Sequence, residues 1–379
     1  MFGEGAEHCT RGACAPHAQR VPDGGEGVFS LPVRPAGVQL RLAAFAHVSF
    51  FFSLPQICFC LLCMSPLRIV FFGTAELACA SLSALLESSA FTVAAVVTQP
   101  DRPKGRNLHP QPSPVKVLAA GKPFPLLQPE RARHEDFVRT LGEFRPDLIV
   151  VAAYGQILPK ALLELPRFGC LNVHASLLPK YRGAAPIQWA ILNDERETGV
   201  TIMKMDVGLD TGDLLTSQST PITPADDAQT LQDRLARIGA VLLVKTVPDY
   251  VAGNIVPRKQ PQTGASYARK ITKEDGRLDW TQPARTLWNR VRALVPWPGA
   301  YTFLPADPKP LLLKIWQAEV VDRNFSSPGE VLESSRSGLV VACGQQALRI
   351  VLLQREGGKR LPAQDFLAGH ALASGQRLG

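Results

Sequence analysis

From Leu67 onward, short apolar runs rich in β-branched and aromatic residues recur between stretches of helical composition: LRIVFF, FTVAAVVTQ, PDLIVVAAY, GCLNVH and GVTIMKM. These runs do not alternate apolar with polar residues, as a strand with one wet face would. Near-continuous apolar character marks strands buried on both faces, the habit of parallel sheets. Such strands need cover above and below. AELACASLSALLES, APIQWAILN and TLQDRLARIGAVLLVKTVPDYVAG have the composition to supply it as helices, with Thr74 placed to cap the first of them. The pattern predicts an α/β fold, a doubly wound, mostly parallel, Rossmann-like sheet with helices on both faces. Sheets of this kind bind ligands in the crevice outside the carboxyl ends of their strands.

The chain is too long for one such unit. The segment NIVPRKQPQTGASYARK is polar and broken by Pro and Gly, and reads as a linker. After it, LLLKIWQAEVV, GEVLE, GLVVAC and ALRIVLLQ are strand-like runs separated by turn residues, the pattern of a small OB-like β-barrel. Boundaries follow at 64–255 for the α/β domain, 256–273 for the linker and 274–379 for the β-rich domain. The net charge of +8 sits wholly in the last 124 residues, which hold 18 Lys+Arg against 10 Asp+Glu. A basic module behind a neutral body points to a polyanion, with nucleic acid the first candidate. Trp280, Trp288 and Trp297 are expected in its core or at its border with the α/β domain.

Residues 1–63 differ in kind. RLAAFAHVSFFFSLPQICFCLLCM is apolar enough for an anchor, but Pro55 interrupts it and no cleavage-like site follows. Met64 is expected as the working start, with 1–63 a disordered or untranslated leader. Five of the eight cysteines lie in that leader, and Cys79, Cys170 and Cys343 are scattered through the rest. Neither a zinc spacing nor a disulfide framework results, so a reducing, cytoplasmic setting is expected, with no membrane partner.

VFFGTAELA stands where a dinucleotide-binding fold carries its Gly-rich turn, yet holds one glycine where three are needed. The backbone cannot then approach a pyrophosphate, which argues against a nicotinamide, flavin or nucleotide site. Asn172 and His174 are the more informative residues. Two apart on one strand, they share a face and, near its end, point into the crevice. An amide donor beside an imidazole suits acyl-type transfer: the amide stabilises an oxyanion and the imidazole handles a proton. Orienting the imidazole calls for a carboxylate. MDVGLDTGDLL offers Asp206, Asp210 and Asp213. The bland alternative is a strand-end pair bonded to local backbone.

The whole string NVHASLLPKYRGAAPIQWAI, followed by ETGVTIMKMDVGLDTGDLL, closely resembles the folate-dependent formyltransferases. The resemblance covers nearly all of residues 66–379. It implies a catalytic trio of Asn172, His174 and Asp210. It also implies 10-formyltetrahydrofolate as formyl donor, held near Tyr154, Gly155, Gln156, Ile157 and Leu158 and near Ser176, Leu177, Leu178 and Pro179, with no metal. Within the family, QPDRPKGR…PSPVK resembles the loop that the branch acting on initiator methionyl-tRNA inserts into the acceptor stem. That places Arg102, Lys104 and Arg106 on the tRNA. SYARKITKEDGRLDW and VPWPGAY resemble the entry to that branch's tRNA-binding barrel. The expected product is formylmethionyl-tRNA for translation initiation, made by a monomer. The alternatives are a formyltransferase acting on an amino-sugar nucleotide or other small amine, and an inactive RNA-binding relative.

Overall fold

The computed structural model describes residues 65–104, 109–306, 309–323 and 327–379. The leader, 1–63, and Arg106 lie outside the described residues. The chain runs β1 (Leu67–Gly73), α1 (Glu76–Glu87), β2 (Phe91–Val97), β3 (Arg102–Lys104), β4 (His109–Gln111), α2 (Pro114–Ala119), β5 (Leu126–Leu127), α3 (Glu135–Glu143) and β6 (Leu148–Ala152). It continues with α4 (Lys160–Leu163), β7 (Cys170–His174), β8 (Arg182–Gly183), α5 (Pro186–Leu192), β9 (Glu197–Lys204), β10 (Leu214–Pro221) and α6 (Ala228–Val251).

One seven-stranded sheet has the order β10-β9-β7-β6-β1-β2-β5. β5, β2, β1, β6 and β7 are parallel, while β9 and β10 add antiparallel at one edge. The reason LRIVFF shows no alternation is now visible. Ile69 and Phe71 pack with Leu82 and Leu85 of α1 and Leu231 and Leu235 of α6, all buried. Val70 and Phe72, between them in sequence, pack on the opposite face with Leu141 of α3 and Leu162 of α4. Each such side chain contributes roughly 1.5–3 kcal/mol by leaving water. The chain leaves β1 towards β2 and β5, then returns to β6 on the other side of β1. That reversal opens a crevice at the carboxyl ends of the central strands.

One expectation needs correction here. Thr74 does not cap α1; the N-cap is Ala75, which makes no side-chain bond. Thr74 Oγ1 instead donates to the Tyr154 carbonyl at 2.9 Å and accepts from the Gln99 amide at 3.3 Å, tying two loops together at the strand ends. The described residues of the proline-rich stretch after β2 form regular elements. β3 and β4 pair as an antiparallel ribbon, Arg102 opposite Gln111, and Ser113 then caps α2, accepting from Lys116 N at 3.0 Å.

The remainder comprises β11 (Tyr267–Ala268), α7 (Ala284–Ala293), β12 (Ala300–Leu304), β13 (Leu311–Val321), β14 (Val331–Ser335), β15 (Gly338–Ala342), β16 (Ala347–Arg355), β17 (Arg360–Pro362) and α8 (Ala363–Gly369). An antiparallel sheet ordered β12-β13-β16-β15-β14, with β17 also on β16, makes the expected β-rich module. Leu313, Ile315, Val341, Leu348 and Leu353 fill its core with Trp280 and Phe366.

α7 joins this module to the first sheet's helices. Its Leu287 and Val291 enter the β-module core. Its Arg285 pairs with Asp194, and its buried Arg292 donates to the Thr223 and Asp226 carbonyls, both at 3.0 Å. Both guanidiniums lie over the Trp288 ring, 4.5 and 4.2 Å from its centroid. Trp280 and Trp288 thus sit in the core and at the junction as expected. Trp297 does not, being 52% exposed in the turn before β12. Among the described residues no helix is long and apolar enough to cross a membrane.

Candidate active site

β7 delivers the two residues singled out from sequence. Leu171 and Val173 point into the core shared with α1 and α6. Asn172 and His174, at the alternate positions, face the crevice and are 9% and 5% exposed. The loop after β9 brings the carboxylate. Asn172 Nδ2 donates to Asp210 Oδ1 at 3.2 Å, and His174 Nδ1 lies 3.7 Å from Asp210 Oδ2. The backbone N–H of Gly183 also donates to Oδ2, at 2.9 Å. A carboxylate accepting from two donors is fixed in orientation.

The histidine's tautomer follows from its other partner. Nε2 lies 2.9 Å from the Tyr181 carbonyl oxygen. A carbonyl only accepts, so Nε2 carries a proton and Nδ1 is the nitrogen presented to Asp210 and the crevice. Tyr181 adopts φ +61° to place that carbonyl. Of the three candidate carboxylates, Asp206 instead braces its own loop by accepting from Gly208 N and Thr211 Oγ1. Asp213 sits where its carbonyl accepts from Lys204 N.

The crevice encloses about 540 Å³, within the range of small-molecule sites. Tyr154, Gly155, Gln156, Ile157 and Leu158 all line it. Gly155 needs to be glycine: φ is +83°, and a Cβ would stand 2.6 Å from Gln99 Nε2. Tyr154 is buried with its ring edge-on to Phe72, and burial pushes its phenol up to about 12. Ile157, Val207 and Leu209 are exposed apolar side chains at the mouth. Apolar side chains left in water around a polar centre suit a flat, partly apolar ligand.

The structure does not bring Ser176, Leu177, Leu178 and Pro179 to the crevice. They form a turn behind His174: Ser176 Oγ donates to the Lys180 carbonyl at 2.6 Å, Leu178 N to Thr201 Oγ1 at 3.2 Å, and Leu177 packs against Gly199. Their spacing from His174 puts them past the strand end, where the chain turns back towards β9. Arg102 and Lys104 lie on β3 of the proline-rich ribbon, Arg102 exposed.

Sequence reasoning missed three contributors: Val207 and Leu209 in a loop noted only for its aspartates, and the segment called a linker. That segment is bonded to the site. Arg258 and Leu214 exchange backbone hydrogen bonds, β11 pairs with β8, and Tyr267 lines the crevice. Their signal is positional, because nothing in a polar, proline-bearing stretch foretells where it packs.

The pattern of the formyl transferase family matches residues 67–247, and that of the formyl transferase C-terminal domain matches 270–371. The methionyl-tRNA formyltransferase of Citrifermentans bemidjiense is 52% identical over 316 residues, 83% of this chain and 98% of that protein. The methionyl-tRNA formyltransferase of Caldanaerobacter subterraneus is 51% identical over 311 residues, 82% of this chain and 99% of its own. Among solved structures, an N-formyltransferase from Helicobacter canadensis bound to folinic acid and dTDP-3-aminofucose shares the fold. Its TM-score is 0.54 at 18% identity, covering 75% of this chain and 99% of that one. HypX from Aquifex aeolicus in complex with tetrahydrofolic acid gives a TM-score of 0.55 at 19% identity over 80% of this chain and 47% of that one.

Proposed function

The chain belongs to the formyl transferase family, and from that premise we propose that it transfers the formyl group of 10-formyltetrahydrofolate to the α-amine of methionyl initiator tRNA. The observation that carries the acceptor is identity near 50% with methionyl-tRNA formyltransferases over almost their full length, both modules included. The basic β-module and the ribbon bearing Arg102 and Lys104 favour a polyanionic acceptor over a small amine.

The chemistry rests on Asn172, His174 and Asp210. The neutral amine attacks the formyl carbon, and negative charge grows on the formyl oxygen. One Asn172 N–H is held by Asp210; its second is available to that oxygen. His174 presents its bare Nδ1 to the attacking amine, takes up the proton the amine sheds, and as the imidazolium so formed donates to the same oxygen, with Asp210 Oδ2 at 3.7 Å. The attacking amine must lose a proton and the departing folate nitrogen must gain one. Asp210 and His174 are placed to pass it between them. Tyr181 keeps His174 in the tautomer this requires. The crevice walls at Tyr154–Leu158, with Val207 and Leu209, hold the folate ring, and Arg102, Lys104 and Arg106 grip the acceptor stem. A monomer in the cytoplasm completes the proposal.

Supplying 10-formyltetrahydrofolate with methionylated initiator tRNA in one reaction and an amino-sugar nucleotide in another tests the assignment. Formylation of the tRNA alone is expected. Formylation of the sugar alone would overturn the acceptor, and no turnover of either would overturn the activity.

A further inference from the structure

We infer that Gln260 is a positioning residue for Asp210, and that the stretch joining the two sheets is thereby part of the active site; this rests on the catalytic trio proposed above. Gln260 is buried, 8% exposed, in a segment otherwise largely open to solvent. Its side-chain amide is fully used. Nε2 donates to the Asp210 and Gly212 carbonyls, both at 2.8 Å. Oε1 accepts from Arg182 Nε at 3.0 Å and Nη2 at 2.7 Å. One side chain therefore grips the backbone of the catalytic carboxylate and, through Arg182, the residue next to Gly183.

Gly183 is the donor that fixes Asp210 Oδ2. Its place is set from the same segment: Arg182 N donates to Ser266 O and Ala184 N to Ala268 O, both at 2.9 Å. The approach is close enough that a Cβ on Gly183, at φ +112°, would meet the Ala268 carbonyl at 2.7 Å and the Tyr267 ring at 2.8 Å. The aspartate loop needs such restraint. Asp210 adopts φ +52°, the left-handed region that residues with a Cβ avoid. Two carbonyls turned towards a buried site also require donors. Gln260 supplies both donors and holds the backbone in a conformation it would otherwise leave. Released, the loop relaxes, and the carboxylate loses its register with Asn172 and His174.

Misplacing a catalytic group by about 1 Å costs on the order of 10²-fold in rate. Gln260→Ala is expected to lower the single-turnover rate of formyl transfer by about 10–10²-fold, with the Kd for a folate analogue and for tRNA each within about threefold of wild type. The deciding readout is a double-mutant cycle. If Gln260 acts through Asp210, adding Gln260→Ala to Asp210→Asn lowers the rate by no more than about twofold further. Losses that multiply would show a general structural role and overturn the inference. So would a Gln260→Ala rate within about threefold of wild type. Should the alanine variant fold poorly, Gln260→Glu keeps the shape and the Arg182 partner while setting a carboxylate against two carbonyls. The same fall in rate is expected, and a wild-type rate overturns the inference. Asp210→Asn alone at near wild-type rate would overturn the trio and this inference together, whereas a slow Asp210→Asn with a fast Gln260→Ala would remove only this one.

Discussion

Asp210→Asn changes the charge of the site and almost nothing of its shape, so its effect can be worked from the geometry. The carboxylate stands 3.7 Å from His174 Nδ1, and the two side chains are 13% and 6% exposed. A unit charge pair at about 4 Å is worth roughly 1 kcal/mol in water and roughly 4 kcal/mol at an effective dielectric of about 20. So little exposure places the pair nearer the second figure, at about 2–4 kcal/mol. In the proposed mechanism that interaction strengthens as His174 gains positive charge in the transition state, so its loss falls on turnover, by about 30- to 10³-fold at 1.36 kcal/mol per decade. A second loss has a different destination. Asp210 accepts from both Gly183 N and Asn172 Nδ2, and an asparagine has one acceptor oxygen for two donors. The mismatched contact costs about 1–3 kcal/mol whether or not substrate is bound. It therefore lowers the melting temperature and not the rate. Single-turnover formylation with both substrates saturating reads the first effect, and calorimetry reads the second. A rate within about threefold of wild type, alongside the lowered melting temperature, would refute the argument that this carboxylate supports charge on His174.

Two further outcomes concern the joint between the modules. Arg292→Ala removes the donors to the Thr223 and Asp226 carbonyls and the cation against Trp288; a loss of about 2–5 kcal/mol is expected for leaving two buried carbonyls without donors. Thermal unfolding should begin several degrees lower, and an unchanged midpoint would remove α7 as the docking element. Hydrogen bonding from Arg269, against an opposing effect of burial, holds the Asp275 carboxyl down to about 2 from an ordinary 3.8. A depressed folded-state pKa stabilises above the unfolded value and is lost as pH falls through the folded one. The stability gap between wild type and Asp275→Asn should hold above about pH 4 and close towards pH 2; a gap that stays constant down to pH 2 would contradict it.

Most of the sheet was legible because burial on two faces leaves an unmistakable run of apolar residues, and β1, β2, β6, β7 and β9 all announced themselves in this way. Leu126–Leu127, two residues long, left no periodicity to detect. Asn172 and His174 were legible for a related reason: period two on a recognisable strand fixes a shared face without any tertiary information. Asp210 could be narrowed only to one of three aspartates until resemblance chose among them, because a loop carries no period. Gln260 was invisible. A glutamine in a polar stretch has no pattern, and its role arises from a left-handed aspartate some fifty residues away in sequence, a long-range fact of packing. Ser176–Pro179, which resemblance alone had put beside the folate, form a turn behind His174 and do not line the crevice.

The proposed mechanism rests most directly on the amide of Asn172, which donates to Asp210 and is assigned its second N–H for the developing oxyanion. Single-turnover formylation of methionyl initiator tRNA by Asn172→Ala, with both substrates bound, should be slower than wild type by about 10²–10³-fold, the usual loss for one oxyanion donor. A rate within about threefold of wild type would show that the transferred group meets its stabilisation elsewhere.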